Sequence, residues 1–159
     1  MNAMRSGPPQ SRGTRELVVF RVGDLLCGVD IDVVQEVNKQ LDITAVHQAP
    51  AVVRGLVNLR GQIITILDLR RFLGQPPMPI GRNARCVVVR RREEAIGLLV
   101  EEVDDILAAS RDDILPMPPH LRGPWGDLFE GVYRMSDRLV AVLDVERLWS
   151  VDEPDPRSK

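Results

Sequence analysis

Gly55-Leu56-Val57-Asn58-Leu59-Arg60-Gly61-Gln62-Ile63-Ile64-Thr65-Ile66-Leu67-Asp68-Leu69-Arg70 is the stretch on which the fold turns. Two short runs rich in Leu, Val and Ile, 55–59 and 62–67, flank Arg60-Gly61, where a glycine tolerates the positive φ of a tight turn. Short β-branched runs punctuated by turn residues predict strands, and here a hairpin. Asp68 ends the second run just before Leu69-Arg70-Arg71-Phe72-Leu73. Its carboxylate is a candidate N-cap for a helical turn, with an Arg three residues on.

The pattern returns 76 residues later: Gly131 stands for Gly55, Leu139-Val140-Ala141-Val142-Leu143-Asp144 for Ile63-Ile64-Thr65-Ile66-Leu67-Asp68, and Arg147 for Arg71. Upstream the offset is 69, with Leu17-Val18-Val19-Phe20-Arg21 over Cys86-Val87-Val88-Val89-Arg90, Gly28 over Gly97, Val34 over Val103 and Val37 over Ile106. The two offsets differ by seven residues, which places an insertion within residues 107–129, where Pro116-Met117-Pro118-Pro119 and Gly123-Pro124-Trp125-Gly126 read as an irregular loop. The first half is expected to span about 16–73 and the second about 85–149, joined by a linker over 74–84. Residues 1–15 and 150–159 read as disordered tails. Further strands are expected at 16–22, 25–29, 85–91, 95–103, 130–134 and 138–143, with a short helical turn inside Ile31 to Val37. Several short strands in each half favour a small closed barrel, which removes unpaired edges.

The charge balance argues against nucleic acid. A formal charge of −2 and 4% aromatic residues leave neither a basic stripe nor a stacking platform. No apolar run approaches the roughly 20 residues that cross a bilayer, and residues 1–15 show no apolar h-region of the kind a secretion signal carries. An enzyme needs a constellation that is hard to assemble here. His47 and His120 are the only histidines, neither in a metal-spaced motif. Cys27 and Cys86 lie in apolar runs, as small buried hydrophobes rather than a disulfide or an activated thiolate. The acidic run Glu101, Glu102, Asp104, Asp105 lacks the glycine of a calcium loop and reads as a solvated strand end.

The stretch from Gly55 to Arg70, and its Asn58-Leu59-Arg60-Gly61 core above all, resembles the signature hairpin of CheW-like domains. Gly28-Val29-Asp30-Ile31 and Val34-Gln35-Glu36-Val37 resemble the same family's second strand and following turn, and the likeness extends from about Glu16 to Trp149. The resemblance implies a mainly β fold of two tandem five-stranded SH3-like barrels. It also implies a cytoplasmic, non-catalytic adaptor without cofactor that works at membrane-associated receptor arrays. Its implied partners are the cytoplasmic hairpin tip of a chemoreceptor and the regulatory domain of a CheA-type histidine kinase, with no nucleic acid and no membrane insertion. A CheW-like adaptor of a non-flagellar pathway, serving pilus motility or a second messenger, is the alternative. Carried over by position, Val34, Glu36, Arg60 and Gly61 are the expected receptor-facing residues, and Gly55 and Asn58 the kinase-facing ones, with Thr44 and Ile63 as weaker candidates nearby. Thr65 stands where relatives often have Pro, and the C-terminal helix looks curtailed by Pro154 and Pro156. Trp125 is expected to be a buried anchor of the second barrel, with an exposed anchor for a partner contact as the alternative.

Under the 69-residue offset Glu36 falls on Asp105, while under the 76-residue offset Arg60 falls on Ser136. A pair that barrel folding required would recur in both halves. Its loss from the second half assigns it a task specific to the first.

Overall fold

In the computed structural model, which describes residues 13–39, 42–72, 74–119 and 126–152, the apolar runs become strands. The expectation for Trp125 falls outside these residues. In chain order the elements are β1 (Thr14–Val22), β2 (Leu25–Asp30), a 3-10 turn (Ile31–Val33), β3 (Val34–Asn38), β4 (Val53–Leu59), β5 (Gln62–Asp68) and a short α1 (Leu69–Phe72). The second half continues with β6 (Arg85–Arg91), β7 (Glu94–Val100), β8 (Glu102–Ser110), a 3-10 turn (Arg111–Asp113), β9 (Ile114–Leu115), a 3-10 turn (Gly126–Leu128), β10 (Phe129–Arg134), β11 (Leu139–Leu143) and α2 (Val145–Asp152).

Sheet one has the order β9-β10-β11-β2-β1-β8, and sheet two β3-β6-β7-β5-β4. Neither belongs to one half of the sequence. Each half sends its first two strands into the sheet built around the other half's closing hairpin, so that β11 lies parallel to β2 and β5 parallel to β7. The exchange keeps the repeat in register: Val142 faces Gly28 in one parallel pair and Ile66 faces Gly97 in the other. Even the irregularities match. The bulge at Gln35 in β3 has its counterpart at Asp104–Asp105 in β8, and that at Arg54 in β4 its counterpart at Glu130 in β10. Sheet one counts one strand more because β9 pairs over two residues, where the equivalent segment of sheet two makes a single bridge, Thr44 to Leu56.

The period-2 alternation of side chains explains why β1 and β6 are apolar almost throughout. Leu17 and Val19 point into a core inside sheet one with Leu26, Val140 and Val142. Cys86 and Val88 point into a core inside sheet two with Val57, Ile64 and Leu99. The intervening residues, Val18, Phe20 and Val22 on one side and Val87 and Val89 on the other, meet in a third core between the sheets. There α2 docks through Leu148 and Trp149, with the Arg91 guanidinium 5.7 Å from the Trp149 ring centroid.

Several sequence expectations change. The single strand expected over 95–103 is two strands that belong to different sheets. The chain crosses at Glu101, whose N–H donates to the Arg21 carbonyl at 3.0 Å while its carboxylate accepts from Gly23 N and from Arg70 at 3.3 Å. β1 begins at Thr14, so Arg15 stands in the sheet and not in a tail. Only 8% exposed, it donates to both carboxylate oxygens of Asp30 at 2.9 Å and to Glu130 at 2.6 and 3.2 Å. α2 likewise runs to Asp152, beyond the expected tail boundary. The linker is held firmly: Met78 is fully buried in the core of sheet two, and its N–H donates to Asp68 Oδ2 at 2.8 Å.

Burial pushes the Cys27 and Cys86 thiols up to about 12, with the Glu36 carboxylate adding to the effect at Cys86. In the unfolded chain these thiols ionise near the ordinary value of 9.0. Stability is therefore undiminished below that value and is lost as pH rises towards 12, because the unfolded state releases its protons first. Replacing both cysteines by alanine is expected to flatten the alkaline fall in melting temperature, although it lowers stability at neutral pH. An unchanged alkaline slope would assign that loss to other groups.

Candidate functional site

The first hairpin owes its shape to its turn. Leu59 pairs with Gln62, leaving Arg60 and Gly61 as a two-residue connection at φ 56° and 84°. Positive φ at both positions gives a turn whose twist matches the flanking strands. Asn58 Oδ1 accepts the Gly61 N–H at 3.0 Å and locks the turn. The second hairpin has Ser136-Asp137 at these positions, with positive φ at neither. The turn geometry is thus particular to the first half, and Gly61 serves backbone conformation, since a Cβ there would meet nothing within 4 Å.

Arg60 is projected into solvent, its side chain 82% exposed, and still reaches Glu36 Oε1 at 3.4 Å. Glu36 lies on β3, the edge of sheet two, so the pair joins the edge strand to the hairpin turn. A chain of polar contacts continues from it. Gln35 Nε2 donates to Glu36 at 3.4 Å, and Arg90 donates to Gln35 Oε1 and to the Arg92 carbonyl. Sequence reasoning missed Gln35 and Arg90. The repeat held the signal, because Arg90 corresponds to Arg21 and Gln35 to Asp104, and those two also pair, at 3.8 Å.

The other candidates divide. Val34 pairs with Val89 on β3 and packs, half-buried, against the core between the sheets. Asn58 is exposed beside the turn, and Ile63 is 60% exposed on the same hairpin. Gly55 is buried, away from the turn, and a Cβ on it would strike the Thr44 carbonyl. That absence of a side chain lets Thr44 and Leu56 exchange two backbone hydrogen bonds of 2.8 Å. Gly131 stands in the same relation to Leu115 in the other half, so the two glycines are a requirement of the repeated fold.

Asp68 does more than cap a helix. Its Oδ1 accepts the Arg70 N–H at 3.0 Å, as an N-cap should, while Oδ2 binds Arg54 Nη1 at 3.0 Å and Met78 N. Its counter-ion is Arg54, turned inward by the bulge in β4, and not Arg71, whose guanidinium reaches the Gln75 carbonyl. Asp144 keeps the simpler arrangement, capping Glu146 N at 3.1 Å and pairing with Arg147 at 3.2 Å. Among the described residues no group of three or more His, Cys, Asp and Glu gathers as a metal site, and no helix is long and apolar enough to cross a membrane.

A family model described as CheW-like domain matches residues 16–153. The chain is 33% identical over 146 residues to a probable chemotaxis protein CheW of Rhizobium etli, covering 91% of this chain and 94% of that one. It is 32% identical over 143 residues to the chemotaxis protein CheW of Rhizobium meliloti, covering 90% and 92%. Protein FrzA of Myxococcus xanthus is 33% identical over 109 residues, covering 69% and 68%. The fold matches the crystal structure of the scaffolding protein TtCheW from Thermoanaerobacter tengcongensis, with a TM-score of 0.75 at 28% identity over 82% of this chain and 88% of that one.

Proposed function

Because the chain belongs to the CheW-like family, whose mainly β, two-barrel fold it has, we propose that it couples chemoreceptors to a CheA-type histidine kinase as a non-catalytic adaptor in a bacterial chemosensory pathway. In this reading Val34, Glu36, Arg60 and Gly61 face the receptor's cytoplasmic hairpin tip, and Asn58 faces the kinase regulatory domain. Gly55 acts indirectly, by letting the Thr44 segment lie flat on β4. The protein works in the cytoplasm at receptor arrays and needs no cofactor.

One observation carries the reading above the rest. The Glu36–Arg60 pair is exposed on the Arg side, has no equivalent in the second half, and joins two surface elements that folding could leave unlinked. An exposed pair contributes only about 0–1 kcal/mol to stability. At a binding rim the same two charges set register and reject wrong partners, since like-charge contacts cost more than good ones gain.

Arg60→Glu is therefore expected to leave the melting temperature nearly unchanged, and Glu36→Arg to lower it because the Glu36 side chain is only 17% exposed, while each weakens binding to a receptor cytoplasmic fragment by roughly tenfold or more. The double swap should recover part of the loss. A thermodynamic cycle over the four proteins measures the coupling. Wild-type affinity in both single variants would remove these residues from the receptor site, and additive losses without recovery would show that they act separately. The alternative, an adaptor of a non-flagellar pathway, draws support from the similarity to FrzA. A kinase and receptors encoded beside this gene, and the output of that kinase, would decide between them.

A further inference from the structure

The repeat supplies an internal control for a surface on the other hairpin. Between the β1–β2 turn and the β10–β11 hairpin lies an open cleft of about 550 Å³, within the roughly 300–1,000 Å³ of ligand and anchor sites. Leu25, Leu26 and Met135 line it, with Leu139 at its side, 49% exposed. Arg21, Arg134 and Arg138 surround this apolar lining, opposed by Asp24 and Asp137. Folding does not require the two hairpin arginines, because the first hairpin carries Asn58 and Gln62 at the positions of Arg134 and Arg138.

Of these arginines Arg134 makes no ion pair among the described residues, Arg138 reaches only its exposed neighbour Asp137, at 3.9 Å, and Arg21 is already paired with Glu102 and Asp104 at 3.9 and 3.8 Å. The equivalent cleft beside the first hairpin is about 310 Å³ and is rimmed by Glu93 and Glu94 next to Ile63 and Trp149. The two positions thus differ in lining as well as in rim, since Leu25 and Leu26 of the second-hairpin cleft are replaced by Glu94 and Ala95 at the first. An acidic chain would be repelled from one and held by the other.

We infer that the cleft at the second hairpin is a docking site for an acidic, leucine-bearing segment of a partner protein, on a face separate from the Arg60–Gly61 turn. The apolar lining takes the aliphatic side chains, and Arg134 and Arg138 take the carboxylates between them. Asp24 and Asp137 set the register by repelling a carboxylate placed one position out.

The test uses the isotopically labelled full chain and a short acetylated peptide, Glu-Glu-Leu-Glu-Leu-Glu-Glu, followed by amide chemical shifts. Shift changes are expected at Leu25 and across 134–139, and the Lys-for-Glu version of the peptide should produce none there. Arg134→Glu with Arg138→Glu should weaken binding at least about tenfold. The Gln pair replaces the Glu pair if that protein melts early, with a smaller loss in the same direction. Equal response to both peptides, shifts centred on the first hairpin, or indifference to the double substitution would overturn the assignment. So would shifts of 134–139 on raising protein concentration without peptide, which would make a second copy the occupant.

Discussion

Asp68→Ala is expected to remove about 3–5 kcal/mol of stability, the range for leaving one member of a buried ion pair unpaired. Asp68 is 1% exposed and serves three donors from three segments, Arg54 on β4, Arg70 at the start of α1, and Met78 in the connection to β6. Without it Arg54 keeps only the Met78 carbonyl, at 2.7 Å, and the Met78 N–H loses its acceptor. Asp144→Ala is the matched control at the equivalent position of the repeat. There the carboxylate is partly exposed and caps a helix, so about 1 kcal/mol should be lost. Urea denaturation of both variants gives the comparison. Equal losses would mean that the triple contact at Asp68 adds nothing beyond a cap.

The second large effect is expected at Arg15. Its guanidinium is held against both the Asp30 and Glu130 carboxylates, which raise its pKa further through hydrogen bonds and charge. Arg15→Met should cost about 2–3 kcal/mol, since it removes several charge-assisted bonds and leaves two carboxylates facing each other. Those carboxylates are 36–37% exposed, so water and salt relieve part of the repulsion and the deficit should shrink in about 1 M salt. Adding Asp30→Asn and Glu130→Gln should recover part of the loss, because the unpaired charges are then gone. A triple variant no more stable than Arg15→Met would show that packing of the arginine stem, and not charge, sets the cost.

The hairpin, the two offsets and the mainly β character were legible in the sequence because each rests on local signals: turn glycines, β-branched runs and fixed spacing. Strand neighbours were not legible. Period-2 alternation says which faces of β1 and β6 are buried, but an all-apolar strand fits any sheet that covers both faces. The crossing at Glu101 was hidden because Val103, just past the two glutamates, reads as a continuation of the preceding apolar strand. Arg15 was lost to the composition of the residues before it. The Asp68–Arg54 pair was missed because spacing along a helix pointed to Arg71, whereas a bulge in a neighbouring strand supplied the base. The Glu36–Arg60 contact, by contrast, was foreshadowed by a failure of the repeat, which is a signal that composition and propensity do not carry.

The exchanged strands carry a consequence for descent. A single copy of the repeat would leave its second strand with no parallel neighbour of its own, since β2 finds β11 and β7 finds β5 only across the two halves. A half-length ancestor could have completed both sheets only as an intertwined homodimer with true twofold symmetry. Carrying both copies on one chain makes unimolecular what two half-length chains could form only as a bimolecular assembly. Once both halves lay on one chain, symmetry no longer bound them. Glu36 and Arg60 could diverge from Asp105 and Ser136 while the glycines, bulges and registers that build the shared frame stayed paired.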